Sequence, residues 1–205
     1  MTTEDWLLSK SLRVLLFDEL EEYRQVIATL DEHLRTHAGD AVAYNNRGLA
    51  HSEIGDANDA LRDFGEAIRH APADPIPLMN RGDLYLRHKP QPIFKEAIAD
   101  FDRAITLKGD DPSFHRRRAH ACLAANLLED ALKSFDRAIE LDPEFQQTYV
   151  ERAELYARLG DAAKADRDRR SLRELQTLAS IPGHGNAVRP DVSSDMMPVH
   201  AVSRS

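Results

Sequence analysis

Asp59-Ala60-Leu-Arg-Asp-Phe64-Gly-Glu-Ala67-Ile68 decides the fold, because the chain repeats it. It returns as Glu96-Ala97-Ile-Ala-Asp-Phe101-Asp-Arg-Ala104-Ile105, and again as Asp130-Ala131-Leu-Lys-Ser-Phe135-Asp-Arg-Ala138-Ile139. Ala60 and Ala97 stand 37 residues apart, Ala97 and Ala131 34 apart, and the extra three fall at Pro90-Gln-Pro92. A link between helices absorbs such an insertion at little entropic cost. A fixed period of this length is the signature of a repeat architecture.

Each unit reads as two helices. With Ala41 as position 1, Tyr44, Arg47, Gly48 and His51 occupy positions 4, 7, 8 and 11. At about 100° per residue these fall on one stripe. Ala60, Phe64, Ala67 and Ile68 form the same kind of stripe at positions 20, 24, 27 and 28. The short link makes the two helices antiparallel neighbours. Gly48, Gly82, Ala119 and Ala153 at position 8 face Ala60, Ala97, Ala131 and Ala165 at position 20, so small side chains permit close backbone approach. A mid-helix glycine costs ~1 kcal/mol relative to alanine, and its recurrence at one phase points to packing that outweighs the loss. Asp74-Pro75 and Asp111-Pro112 read as helix starts. Asn126 with Glu129 reads as a capping box.

The pattern resembles the tetratricopeptide repeat, with an aromatic at 4, small residues at 8, 20 and 27, and Phe at 24. The resemblance implies an all-α fold, an alpha-alpha superhelix: a right-handed solenoid of antiparallel helix pairs. Units are expected at 41–74, 75–111 (with the three-residue insertion) and 112–145. A terminal unit or capping helix spans 146–179, where Arg169 replaces the large apolar residue at 24. Residues 1–40 are expected to form a degenerate helix pair, and 180–205, with Pro182, Gly183, Gly185, Pro190 and Pro198, a disordered tail.

Bulk composition narrows the function. The net charge of −8 argues against nucleic-acid binding, which depends on neutralising phosphates. The lone Cys122 gives no internal disulfide, and no apolar run is long enough for membrane insertion, so a cytoplasmic location is the default expectation. His33 and His37 lie one helical turn apart, but Leu34 stands where the zinc-protease pattern requires glutamate, so no metal site is expected. No catalytic motif, phosphate loop or cofactor fingerprint is found, so the chain is expected not to be an enzyme and to carry no cofactor.

A protein or peptide ligand is the expected partner. In the family, the first-helix positions opposite the packing stripe line a concave groove. The candidate peptide-binding residues there are Asn45, Asn46, Asn80, Arg87, Arg116, Arg117 and His120. Asn46 and Asn80 share position 6, and an asparagine amide can bridge the N–H and C=O of an extended chain; the alternative is two solvated polar residues. Arg116, Arg117 and His120 form a cationic spot suited to carboxylates, or an ordinary charged face. The carboxylate clamp of the chaperone-binding members spans five positions, of which this chain keeps Asn80 and Arg117. Asn45, Leu49 and Ser113 stand where Lys, Asn and Lys would be needed.

Position 7 holds Arg47, Arg81, Arg118 and Arg152, and position 23 holds Asp63, Asp100 and Asp168, with Ser134 as the exception. A charge on the packing side needs a partner, so Arg–Asp bridges are expected between the paired helices. The resulting expectation is a scaffold or adaptor, monomeric or weakly homo-oligomeric. A small chaperone for a secreted or aggregation-prone client and a self-assembling repeat protein are the alternatives.

Overall fold

The computed structural model describes residues 3–87 and 91–180, with side chains from Leu20 onward. Among the described residues there are nine α-helices and no strands: α1 (Thr3–Thr36), α2 (Ala41–Ile54), α3 (Ala57–His70), α4 (Ile76–Arg87), α5 (Phe94–Leu107), α6 (Pro112–Ala124), α7 (Leu128–Leu141), α8 (Gln146–Arg158) and α9 (Ala162–Ala179). They divide into two compact units, one running through Leu84 and the other beginning at Tyr85.

In the first unit, α1 corrects one expectation. Residues 3–36 form one continuous helix of 34 residues rather than a helix pair. No proline or glycine occurs before Gly39, so nothing in the sequence breaks it. Leu30 and Leu34 of α1 pack on Ala43 of α2, with Val26 and Tyr44 alongside. The close approach of α2 and α3 occurs at Gly48, where an added Cβ would stand 2.8 Å from the Phe64 ring and 3.3 Å from the Ala60 carbonyl oxygen. Phe64, 1% exposed, fills the space that the missing side chain leaves, and joins Ala60 and Leu84 in one cluster. Burying such a side chain contributes about 1.5–3 kcal/mol.

The second unit repeats this arrangement. Ala119, Cys122, Ala131, Phe135 and Leu155 form its core cluster. Cys122 is fully buried, and burial pushes its thiol above the ordinary range, as suits a small core residue. Arg169, at the position of Phe64 and Phe135, is half exposed and pairs with Asp166 at 2.8 Å.

The turns after α2, α6 and α8 each contain a left-handed residue. Gly55 (φ 90°), Asn126 (φ 59°) and Gly160 (φ 79°) occupy this one repeat position. Asn126 therefore ends α6 rather than capping α7, whose N-cap is Leu127 without a side-chain cap, and the capping-box reading is overturned. Three other helices, α2, α6 and α9, are capped by carboxylates. Asp40 accepts from Ala43 N at 3.0 Å, Asp111 from Ser113 N at 3.0 Å, and Asp161 from Lys164 N at 3.1 Å. The tail expected at 180–205 lies, beyond Ser180, outside the described residues.

Arginines at position 7 bind the helices together. In the first unit the Arg47 fork donates to both oxygens of Asp63 on α3, at 2.8 and 2.7 Å, and its remaining nitrogen reaches Asp31 on α1 at 2.6 Å. In the second unit Arg152 grips Asp168 on α9 at 2.9 and 2.7 Å and Asp136 on α7 at 2.7 Å. Arg118 bonds Asp102 on α5 and Ser134 Oγ on α7, the latter at 2.7 Å. Each arginine thus joins its partner helix to the helix before it. Asp63 and Asp168 are almost fully buried, and the Asp63 hydrogen bonds hold the Arg47 guanidinium above its ordinary range.

Candidate functional site

The side chains facing away from the packing stripe were the candidates for meeting a partner, and the structure distributes them between the two units. In the first, Asn80 of α4 donates from Nδ2 to Oδ1 of Asn45 on α2 at 2.9 Å, across 35 residues of sequence. Both side chains are half-buried, so the amide pair is anchored while part of it remains accessible. Asn46 is also half-buried and makes no side-chain hydrogen bond among the described residues. The amide that meets Asn80 is therefore one residue earlier than the shared position 6. A step of one residue turns a helix by about 100°, which separates Asn45 from Asn46.

In the second unit, Arg87 at the end of α4 is exposed and Arg117 is half-buried. Arg116, expected on an open cationic spot, is 6% exposed. Its guanidinium lies 4.1 Å from the centre of the Phe145 ring, a cation–π contact supplied by the segment just before α8. Its Nη2 stands 3.8 Å from Glu151 Oε1. His120, with 42% of its side chain exposed, donates from Nε2 to Glu151 Oε2 at 3.0 Å and meets the edge of Phe135. Gln147 Nε2 donates to Glu151 Oε1 at 3.2 Å.

Glu151 is the residue that the candidate set lacked. Burial pushes its carboxyl upward, but the His120 hydrogen bond and charge, the Arg116 charge and the Gln147 hydrogen bond outweigh this and hold it below the ordinary range. The spot is therefore a charge-compensated cluster, with His120 as its exposed member and Arg116 sealed beneath it. A polar cluster of this kind offers both donors and acceptors to another chain and supplies no nucleophile with an adjacent base.

The carboxylates Asp31, Asp102 and Asp136, which complete the arginine bridges, were also not anticipated. Each precedes its arginine by 16 residues, and two follow the repeat phenylalanine directly, as Phe101-Asp102 and Phe135-Asp136. That dipeptide was a visible signal. No helix among the described residues is long and apolar enough to cross a membrane.

The family pattern described as Tetratricopeptide repeat matches residues 45–112, 94–144 and 116–165, more than half of the chain. The chain belongs to the tetratricopeptide-repeat family. It is similar to the TPR repeat-containing thioredoxin TTL4 of Arabidopsis thaliana, at 37% identity over 94 residues, 42% of this chain and 14% of that protein. The chain spans less than a fifth of the length of the first curated relatives it matches. Among solved structures, a crystal structure of MamA superposes with a TM-score of 0.69 at 15% identity, covering 86% of this chain and 96% of that one. The first TPR of Spaghetti (RPAP3), bound to HSP90 peptide SRMEEVD, superposes with a TM-score of 0.54 at 25% identity, covering 58% and 93%.

Proposed function

We propose that this chain is a non-catalytic interaction module whose repeats, over 41–74, 75–111, 112–145 and 146–179, hold an extended peptide segment of a partner protein. The anchored Asn45–Asn80 amide pair carries this reading. A pair of amides held by each other has donors and acceptors left for a peptide backbone, without selecting side chains. The likeness to a TPR seen with a bound peptide supports it. An acidic peptide such as the SRMEEVD bound there is not the ligand class we assign, since Leu49 and Ser113 cannot supply the amide and the cation that the family's carboxylate clamp places at those positions. Side chains without charge at Asn45 and Asn80 suit a backbone held by its amides.

The test starts from a random-sequence peptide display library selected on the full chain, followed by fluorescence anisotropy with the winning peptide. Asn45→Ala with Asn80→Ala should weaken binding at least tenfold, while Lys133→Ala, an exposed residue of α7, leaves it unchanged. Mass spectrometry should find the peptide intact after incubation. Equal affinity for all three proteins, or a cleaved or modified peptide, would reject the reading.

A further inference from the structure

The turn between α2 and α3 gathers three side chains with metal-binding atoms. His51 lies in the last turn of α2, Asp56 precedes α3 and Asp59 lies in its first turn; one ligand atom from each lies within 4.8 Å of the others. His51 Nδ1 is shut off from solvent and has no hydrogen-bond partner. It faces Asp56 Oδ2 at 3.8 Å, too far for a hydrogen bond. Asp56 makes no side-chain cap bond to α3, so its carboxylate is not committed to the helix it precedes. A buried ring nitrogen without a partner is an expensive arrangement that a bound ligand would relieve.

The same three repeat positions in the terminal pair show what fills this triangle. There they hold Tyr156, Asp161 and Lys164. The Lys164 ammonium sits 3.0 Å from Asp161 and 5.2 Å from the centre of the Tyr156 ring. That turn contains its own cation. The turn after α2 has Asp59 in place of the lysine and His51 in place of the tyrosine, so it presents two anions and an imidazole around the corresponding point. Its neighbourhood is acidic as well: residues 1–84 hold 16 acids and 8 bases, all of the chain's net charge. Arg62 contacts one Asp59 oxygen at 2.7 Å, but that arginine is 63% exposed and its ion pair is weak.

We propose that His51, Asp56 and Asp59 form a site for a divalent transition-metal ion of the zinc class, held by one imidazole nitrogen and two carboxylates. Mixed nitrogen and oxygen ligands favour such ions over magnesium or calcium, which take oxygen alone. Two ligands each about 2.1 Å from zinc stand roughly 3.4 Å apart, so a slight closing of the 3.8 Å gap between His51 and Asp56 completes the geometry. The ion would staple the end of α2 to the start of α3, doing with a bound cation what Lys164 does with a covalent one. Three protein ligands leave a coordination position for water.

The test is calorimetric titration of the full chain with zinc chloride, after dialysis against a chelator, with magnesium and calcium chlorides as controls. One site should bind zinc and neither control ion. His51→Gln should weaken this site at least tenfold. Asp59→Lys, which copies the terminal repeat, should abolish it while circular dichroism reports a folded chain, so the result does not depend on the histidine variant folding. His37→Gln, on a separate histidine pair, should leave the affinity unchanged. Zinc binding that survives Asp59→Lys, that is lost with His37→Gln, or that is absent from the starting protein overturns the proposal.

Discussion

Replacing Arg47 with methionine tests the physical core of the repeat. Methionine keeps much of the aliphatic stem but removes the fork, whose central carbon lies 5.4 Å from the centre of the Tyr44 ring. The fork makes two bonds to Asp63, which is 0% exposed, and one to Asp31, which is half exposed. Breaking a buried pair by deleting one partner leaves an uncompensated charge and costs about 3–5 kcal/mol. The loss of the Asp31 contact adds at most ~1 kcal/mol. With a urea slope of about 2 kcal/mol per molar, the midpoint should fall by roughly 1.5–3 M. The double variant Arg47→Met, Asp63→Leu removes both charges and should recover to within about 1.5 kcal/mol of the starting protein. Circular dichroism at 222 nm during urea unfolding reads all of these, with equal slopes as the condition for comparing midpoints. A shift below about 0.5 M for Arg47→Met, or a double variant as unstable as the single one, would refute the reasoning.

Two glycines on consecutive helices should respond to alanine with opposite signs. At Gly65 an added Cβ meets nothing within 4 Å, so Gly65→Ala should stabilise by about 1 kcal/mol. At Gly48 it meets the Phe64 ring at 2.8 Å, and Gly48→Ala should destabilise by about 1–3 kcal/mol; thermal melts distinguish the two. His115, 8% exposed, has its ring pushed below the ordinary histidine range, chiefly by burial, with the Gly109 carbonyl bond partly opposing this. The unfolded chain therefore takes up the proton first as pH falls, so this contribution is complete above about pH 6.5 and is lost as pH drops through the lower folded value. His115→Gln should flatten the pH dependence of the urea midpoint between about pH 7 and 5.

Much of this fold was readable because repetition averages out local ambiguity. Gly48, Phe64, Ala119 and Phe135 each predict a packing role weakly, but four units in phase make the pattern firm. The bridges were half readable. Asp63 and Asp168 share the repeat unit of their arginines, whereas Asp31, Asp102 and Asp136 belong to the preceding helix and emerge only when units stack. Glycine at residue 65 occupies the corresponding place in the first full repeat, which hid the regularity. The site was less legible. Arg116 looked like an exposed charge until Phe145, 29 residues later, was found stacked on it. Asn45 and Asn46 are indistinguishable by composition, and only the helix phase relative to α4 selects the one that meets Asn80. The cluster at His51 has no spacing motif, because it depends on the left-handed Gly55 turning α3 back toward α2.

The proposed function requires that an extended chain meet the Asn45–Asn80 amide pair of the first unit. Nitrogen-edited NMR of the full protein, titrated with the display-selected peptide, tests it residue by residue. The side-chain amides of Asn45 and Asn80 should shift and gain protection from exchange, while the backbone amides of Arg62, Lys133 and Arg137 stay in place. Shifts concentrated at Arg62, Lys133 and Arg137, with the Asn45 and Asn80 amides unmoved, would contradict the account.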